Sequence, residues 1–116
     1  MVAVVYTTME DIIYARNIAN KLVEEQLVAC VNIIPKVESI YKWKGKVETA
    51  DEVILIAKTV EENVKKTILR IKELHSYDIP AIIVFPVIAT ALAFGLFLSI
   101  VIMNPFLRTR SAVCIR

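Results

Sequence analysis

The stretch from Val28 to Lys58 constrains the fold more than any other part of the chain. Val28 to Ile34 is an apolar run, interrupted by Pro35-Lys36. Val37 to Lys44 then alternates almost strictly, and a period of two puts Tyr41 and Trp43 on one face of a strand, with Lys42 and Lys44 on the other. Gly45 allows a turn, and Lys46 to Lys58 returns as the mate strand, most apolar over Val53 to Ala57. A proline cannot donate within a central ladder, so Pro35 marks a bulge or bend rather than an end. A hairpin this long projects beyond a small domain and needs a partner for its far end.

The flanking segments fix what the hairpin belongs to. Residues 2–6 are a β-branched run that reads as a buried strand. Thr7 with Glu10, or Thr8 with Asp11, matches a capping box. Ile12, Ala15, Ala19 and Leu22 follow at helical spacing, an amphipathic helix with one face for a sheet. Thr59-Val60-Glu61-Glu62 opens a second helix by the same capping logic, with an apolar stripe of Val64, Ile68, Ile71 and Leu74. Ile79 to Val87 is a fourth strand, interrupted by Pro80 and Pro86. The order β-α-β-β-α-β predicts an α+β, ferredoxin-like domain with a long central hairpin.

Charge narrows the function. All twelve acidic residues lie between Glu10 and Asp78, and residues 1–87 carry a net −1 while the remainder carries +3. A balanced body argues against a nucleic-acid partner, whose footprint is a strongly basic face. Lys42, Lys44 and Lys46 accordingly read as a solvated face. The N-terminal Met1-Val-Ala-Val-Val-Tyr6 lacks the basic start of a signal peptide. The two cysteines, Cys30 and Cys114, form no CxxC and read as reduced thiols of a cytoplasmic protein. Only Gly45 and Gly95 are glycines, which excludes phosphate-cradling loops. No nucleophile–base set is visible, and the chain reads as non-enzymatic.

Few residues remain to carry chemistry. Cys30 sits in an apolar strand, where cysteine most often serves as a small hydrophobe; as a thiolate it would suit Cu(I). His75, the one histidine, ends the second helix, where it can cap the helix or ligate a metal. One His and one Cys fall short of the three or four ligands a metal takes within a subunit. A site completed between subunits would draw on carboxylates such as Glu48, Asp51 or Glu52. Tyr41 and Trp43 suit a subunit interface, where aromatic anchors are enriched, or the wall of an intersubunit pocket.

Four fragments, Ala29-Cys30-Val31-Asn32, Tyr41-x-Trp43-x-Gly45-Lys46, Lys58-Thr59 and His75-Ser76-Tyr77-Asp78-Ile79-Pro80, stand in register along the chain. Together they resemble the CutA family of divalent-ion-tolerance proteins. The resemblance implies a cytoplasmic homotrimer with a ferredoxin-like fold, similar in architecture to PII signalling proteins, whose hairpins join sheets between subunits. It further implies a role in tolerance of divalent metals, copper especially, and so copper or another divalent ion as ligand, with His75 and Cys30 as the matching candidates. Asn32, Tyr41, Trp43, Lys58 and Tyr77 become candidates for an intersubunit cleft. Two rival readings are a PII-like module that binds a small molecule in that cleft and a trimeric scaffold. The chain departs from the family pattern at Tyr6, Leu74 and Ala81, where some members carry Cys, His and Glu.

The likeness covers residues 1–87, and residues 88–116 read as an atypical hydrophobic tail. Val87 to Met103 is seventeen residues without a charge, the lower limit for a membrane span. A membrane anchor, a buried helix and a changed reading frame compete. Placing Arg108, Arg110 and Arg116 across the membrane opposes the positive-inside bias, which counts against the anchor.

Overall fold

A computed structural model describes residues 1–91 together with Leu98 and Ile102. Along the chain run β1 (Val2–Met9), α1 (Ile12–Glu24), β2 (Cys30–Trp43), β3 (Lys46–Val60), a single 3₁₀ turn (Glu61–Asn63), α2 (Val64–Leu74) and β4 (Ile82–Pro86). The strands form one antiparallel sheet in the order β2-β3-β1-β4. This is the ferredoxin-like βαββαβ arrangement expected from the sequence pattern.

Period-two alternation divides the sheet into two faces. Ala3, Val5, Thr7 and Met9 of β1, with Val53, Leu55, Ala57 and Thr59 of β3, are buried, while their neighbours are only partly so. Ala15, Ile18 and Leu22 of α1 and Ile71 of α2 pack on this face with Val28. Each of the larger aliphatic side chains, Ile18, Leu22, Val28 and Ile71, contributes about 1.5–3 kcal/mol by leaving water. The opposite face carries Val4, Tyr6, Ile54, Ile56, Ile83 and Phe85, and neither helix covers it. Tyr6 and Phe85 meet there edge to face, 6.3 Å between centroids.

Several local expectations are corrected. The first strand runs on to Met9 because Thr7 and Met9 are fully buried core positions paired with Leu55 and Val53. The cap of α1 is therefore Asp11, whose carboxylate accepts from the Tyr14 amide at 2.8 Å, and not Thr7 or Thr8. Thr59 likewise belongs to β3, and α2 begins only at Val64 after a 3₁₀ turn. The Thr59 hydroxyl instead donates to the Leu27 carbonyl at 2.6 Å, pinning the α1–β2 connection. On α2 the deepest positions are Thr67 and Ile71, with Val64, Ile68 and Leu74 at the margin. The fourth strand is shorter than expected, Ile82–Pro86, since Pro80 cannot join the ladder.

The bend at Pro35 is a bulge. The register passes from Ile34↔Ile54 to Val37↔Glu52, one extra residue on β2. Lys44 and Gly45 close the hairpin with φ of 49° and 80°, the left-handed pair that a two-residue turn demands. Beyond Met9↔Val53, β1 no longer accompanies β3, so residues 37–52 project as a two-stranded arm. Most of the hydrophobic tail lies outside the described residues; Leu98 and Ile102 are helical and buried. Among the described residues no helix is long and apolar enough to cross a membrane.

Candidate functional site

The extra residue at the bulge decides which side chains reach the site. Before it, even-numbered residues of β2 (Cys30, Asn32, Ile34) share the face turned away from the helices. After it, odd-numbered ones do (Val37, Ser39, Tyr41, Trp43), opposite Glu52, Ala50, Glu48 and Lys46. The base of the arm and the segment between α2 and β4 enclose a groove of about 660 Å³ on this face. Tyr41, Trp43, Ala50 and Glu52 line it from the arm, Thr8 from β1, and Tyr77, Ile79 and Ala81 from the connection.

Hydrogen bonds fix that connection. The Tyr77 amide donates to His75 Nδ1 at 3.0 Å, so the ring proton sits on Nε2, which donates to the Thr8 carbonyl at 2.8 Å. β4 pairs with β1 only as far as Thr7, and His75 takes up the next carbonyl where the ladder has ended. The rings of His75 and Tyr77 stack at a tilt, 4.9 Å apart. Tyr77 then crosses to the arm, its hydroxyl donating to Glu52 Oε2 at 2.9 Å. Burial, the hydrogen bond to Glu52, and the negative charges of Glu52 and Glu10 push the Tyr77 phenol up to about 12.

The expected site residues divide into two groups. Tyr41, Trp43 and Tyr77 meet in the groove, and His75 holds its floor. Asn32, Cys30 and Lys58 lie on the same face but toward the far end of the sheet, with Cys30 opposite Lys58 in the ladder. The Cys30–Lys58 pair adjoins Val4, four residues along β1 from the Thr8 carbonyl held by His75, or roughly 13 Å of strand. His75 and Cys30 of one chain thus stand too far apart to share an ion. Among the carboxylates, Glu52 enters the groove, Glu48 lies opposite Tyr41, and Asp51 pairs with Lys36 at 3.7 Å on the other face.

Thr8, Ile79 and Ala81 were not foreseen in the site. They arrive from segments distant in sequence, though Glu52 could have been singled out by counting parity through the bulge. Metal fits poorly within one chain. Among the described residues no three His, Cys, Asp or Glu side chains come together as an ion requires, and both nitrogens of His75 are engaged.

Residues 3–99 match the family model of CutA1, the CutA1 divalent ion tolerance protein. Among similar proteins, the divalent-cation tolerance protein CutA of Thermus thermophilus is 44% identical over 87 residues, 75% of this chain and 84% of that protein. The chloroplastic protein CutA of Arabidopsis thaliana is 39% identical over 84 residues, 72% of this chain. The chain spans about half the length of this plant relative and of a rice counterpart, 46% and 48%. Among solved structures, the Thermus thermophilus protein superposes with a TM-score of 0.81 at 40% identity, over 84% of this chain and 95% of the other. The periplasmic divalent cation tolerance protein CutA of Archaeoglobus fulgidus gives 0.84 at 32%, over 88% and 99%.

Proposed function

The chain belongs to the CutA1 family of divalent ion tolerance proteins, and on that premise we propose that it is a non-enzymatic, cytoplasmic homotrimer acting in the response to divalent metal ions, copper among them. The observation that carries the assembly is the sheet face left bare by both helices. Ile34, Ile83 and Phe85 are exposed there beside the half-buried Tyr6, Ile54 and Ile56, an apolar surface continuous with a two-stranded arm. Contiguous apolar patches of this kind mark association surfaces, and a lone hairpin is marginal in water without one.

The metal ligands of this reading are His75 and Cys30, drawn from different copies because one chain holds them apart. Freeing His75 for an ion costs one of its two ring hydrogen bonds. The test has two parts. Light scattering on the full chain should give three times the 13.1 kDa protomer mass; a monomer refutes the assembly. Copper titration should show saturable binding that a Cys30→Ala, His75→Ala double variant loses. Equal binding by that variant removes both residues from the ligand set, and no binding by either protein removes the metal.

A second reading is favoured by the groove itself. Its volume falls inside the roughly 300–1,000 Å³ of small-molecule sites, which supports a regulatory module that binds an organic ligand beside the arm.

A further inference from the structure

We infer that the groove beneath the arm takes an elongated organic cation, a protonated amine on an apolar or aromatic body, with Glu52 as its counter-charge. This deepens the small-molecule reading and rests on it.

Charge is the first observation. Among the described residues Glu52 is the only charged side chain lining the groove, and no cation lines it. Tyr77 occupies Oε2, while Oε1 has no partner among the described residues. A neutral ligand seated over this carboxylate would strip its water and return at most a hydrogen bond, with no opposite charge. A nucleotide or other phosphate would meet like charge. A protonated amine supplies both opposite charge and N–H donors, the stronger kind of hydrogen bond. The field agrees with this, since the negative charges that help hold the proton on Tyr77 also attract a cation.

The walls are the second observation. Tyr41, Tyr77 and Trp43 present aromatic surface to the groove, and Trp43 is 60% exposed. The chain's own Lys44 ammonium stands 5.8 Å from the Trp43 ring centroid, so the ring already attracts a cation at the outer end. Length follows from register. Glu52 pairs with Val37 and Trp43 pairs with Lys46, six residues further along β2, roughly 20 Å of strand before side chains lean inward. A lone ammonium or a bare metal ion leaves most of such a groove empty, whereas an amine at Glu52 with a body extending toward Trp43 fills it.

Trp43 is the only tryptophan of the chain, so its fluorescence reports on the groove directly. The full chain is titrated with 8-phenyloctylamine, protonated at neutral pH and long enough to extend from Glu52 toward Trp43, and with the neutral 8-phenyloctan-1-ol of equal shape. The amine should bind saturably and about tenfold more tightly than the alcohol. Glu52→Gln keeps an acceptor for the Tyr77 hydroxyl and so preserves the connection; it should abolish the preference. Equal affinity for amine and alcohol, a preference unchanged in Glu52→Gln, or no saturable signal overturns the inference. Light scattering on the same samples separates the two ideas. A monomer that prefers the amine upholds the inference and sinks the assembly, and a trimer without that preference does the reverse.

Discussion

Tyr77→Phe removes a single hydroxyl and isolates the tie between the α2–β4 connection and the arm. In the folded protein this hydroxyl donates to Glu52 at 2.9 Å, and its phenol is pushed up to about 12 from the ordinary value of 10. Two units correspond to at most about 2.7 kcal/mol. Both partners are only half-buried, and water screens the interaction, so the net contribution is about 1 kcal/mol. The folded state holds the proton more tightly than the unfolded one. The stabilisation is therefore complete below about pH 10 and is lost as pH rises through about 12. Urea unfolding at fixed protein concentration should show Tyr77→Phe less stable by about 1 kcal/mol at neutral pH, with the gap closing toward pH 12. The ultraviolet titration of the four tyrosines should lose its most alkaline step in the variant. Equal stability at neutral pH, a gap that widens with pH, or loss of an early-titrating tyrosine would refute the argument.

Thr59→Val should cost about 1 kcal/mol in chemical denaturation, because it removes a buried donor to the Leu27 carbonyl while Asn63 Nδ2 at 3.3 Å remains; the Thr67 hydroxyl proton is taken by the Asn63 carbonyl at 2.8 Å. Removing the Thr59 and Asn63 donors together should cost more than the sum of the single changes, since only then is the carbonyl orphaned; simple additivity would show that the two do not share it. Gly45→Ala meets no atom within 4 Å, so its cost is backbone strain at φ +80° alone, about 1 kcal/mol, and Lys44→Gly should not be destabilising by the same denaturation assay.

The sheet and its order were legible because the hydrophobic period changes cleanly between two and 3.6 along the chain. Pro35 and Gly45 were legible because their covalent chemistry allows few alternatives. The caps were not. A hydroxyl three residues before a carboxylate occurs equally in a strand, and at Thr7 and Thr59 burial against the helices outweighed the local preference for a cap. Asp11 won at α1 because it stands immediately before Ile12, the first helical residue, where a short carboxylate reaches the Tyr14 amide. Tyr77 was named from resemblance alone. Its bond to Glu52, 25 residues away, depends on the path of the whole connection and has no local signature.

The bulge at Pro35 ties the fold to the site. β3 runs without interruption, so its even-numbered residues keep one face from Lys46 to Lys58, whereas β2 changes parity once. Without the extra residue, the alternation carried on from Ile34 would turn Lys42 and Lys44 onto this face in place of Tyr41 and Trp43. The groove would then be flanked by lysines rather than walled by aromatic rings. The same parity change makes the face continuous, from Phe85 and Ile83 across Tyr6 and Ile54 to Tyr41 and Trp43. By linkage, a ligand that binds there with different affinity in the free and assembled chain must shift assembly by the same factor. On the readings proposed above, association and ligand binding are two uses of one surface, and the one extra residue on β2 bears on both.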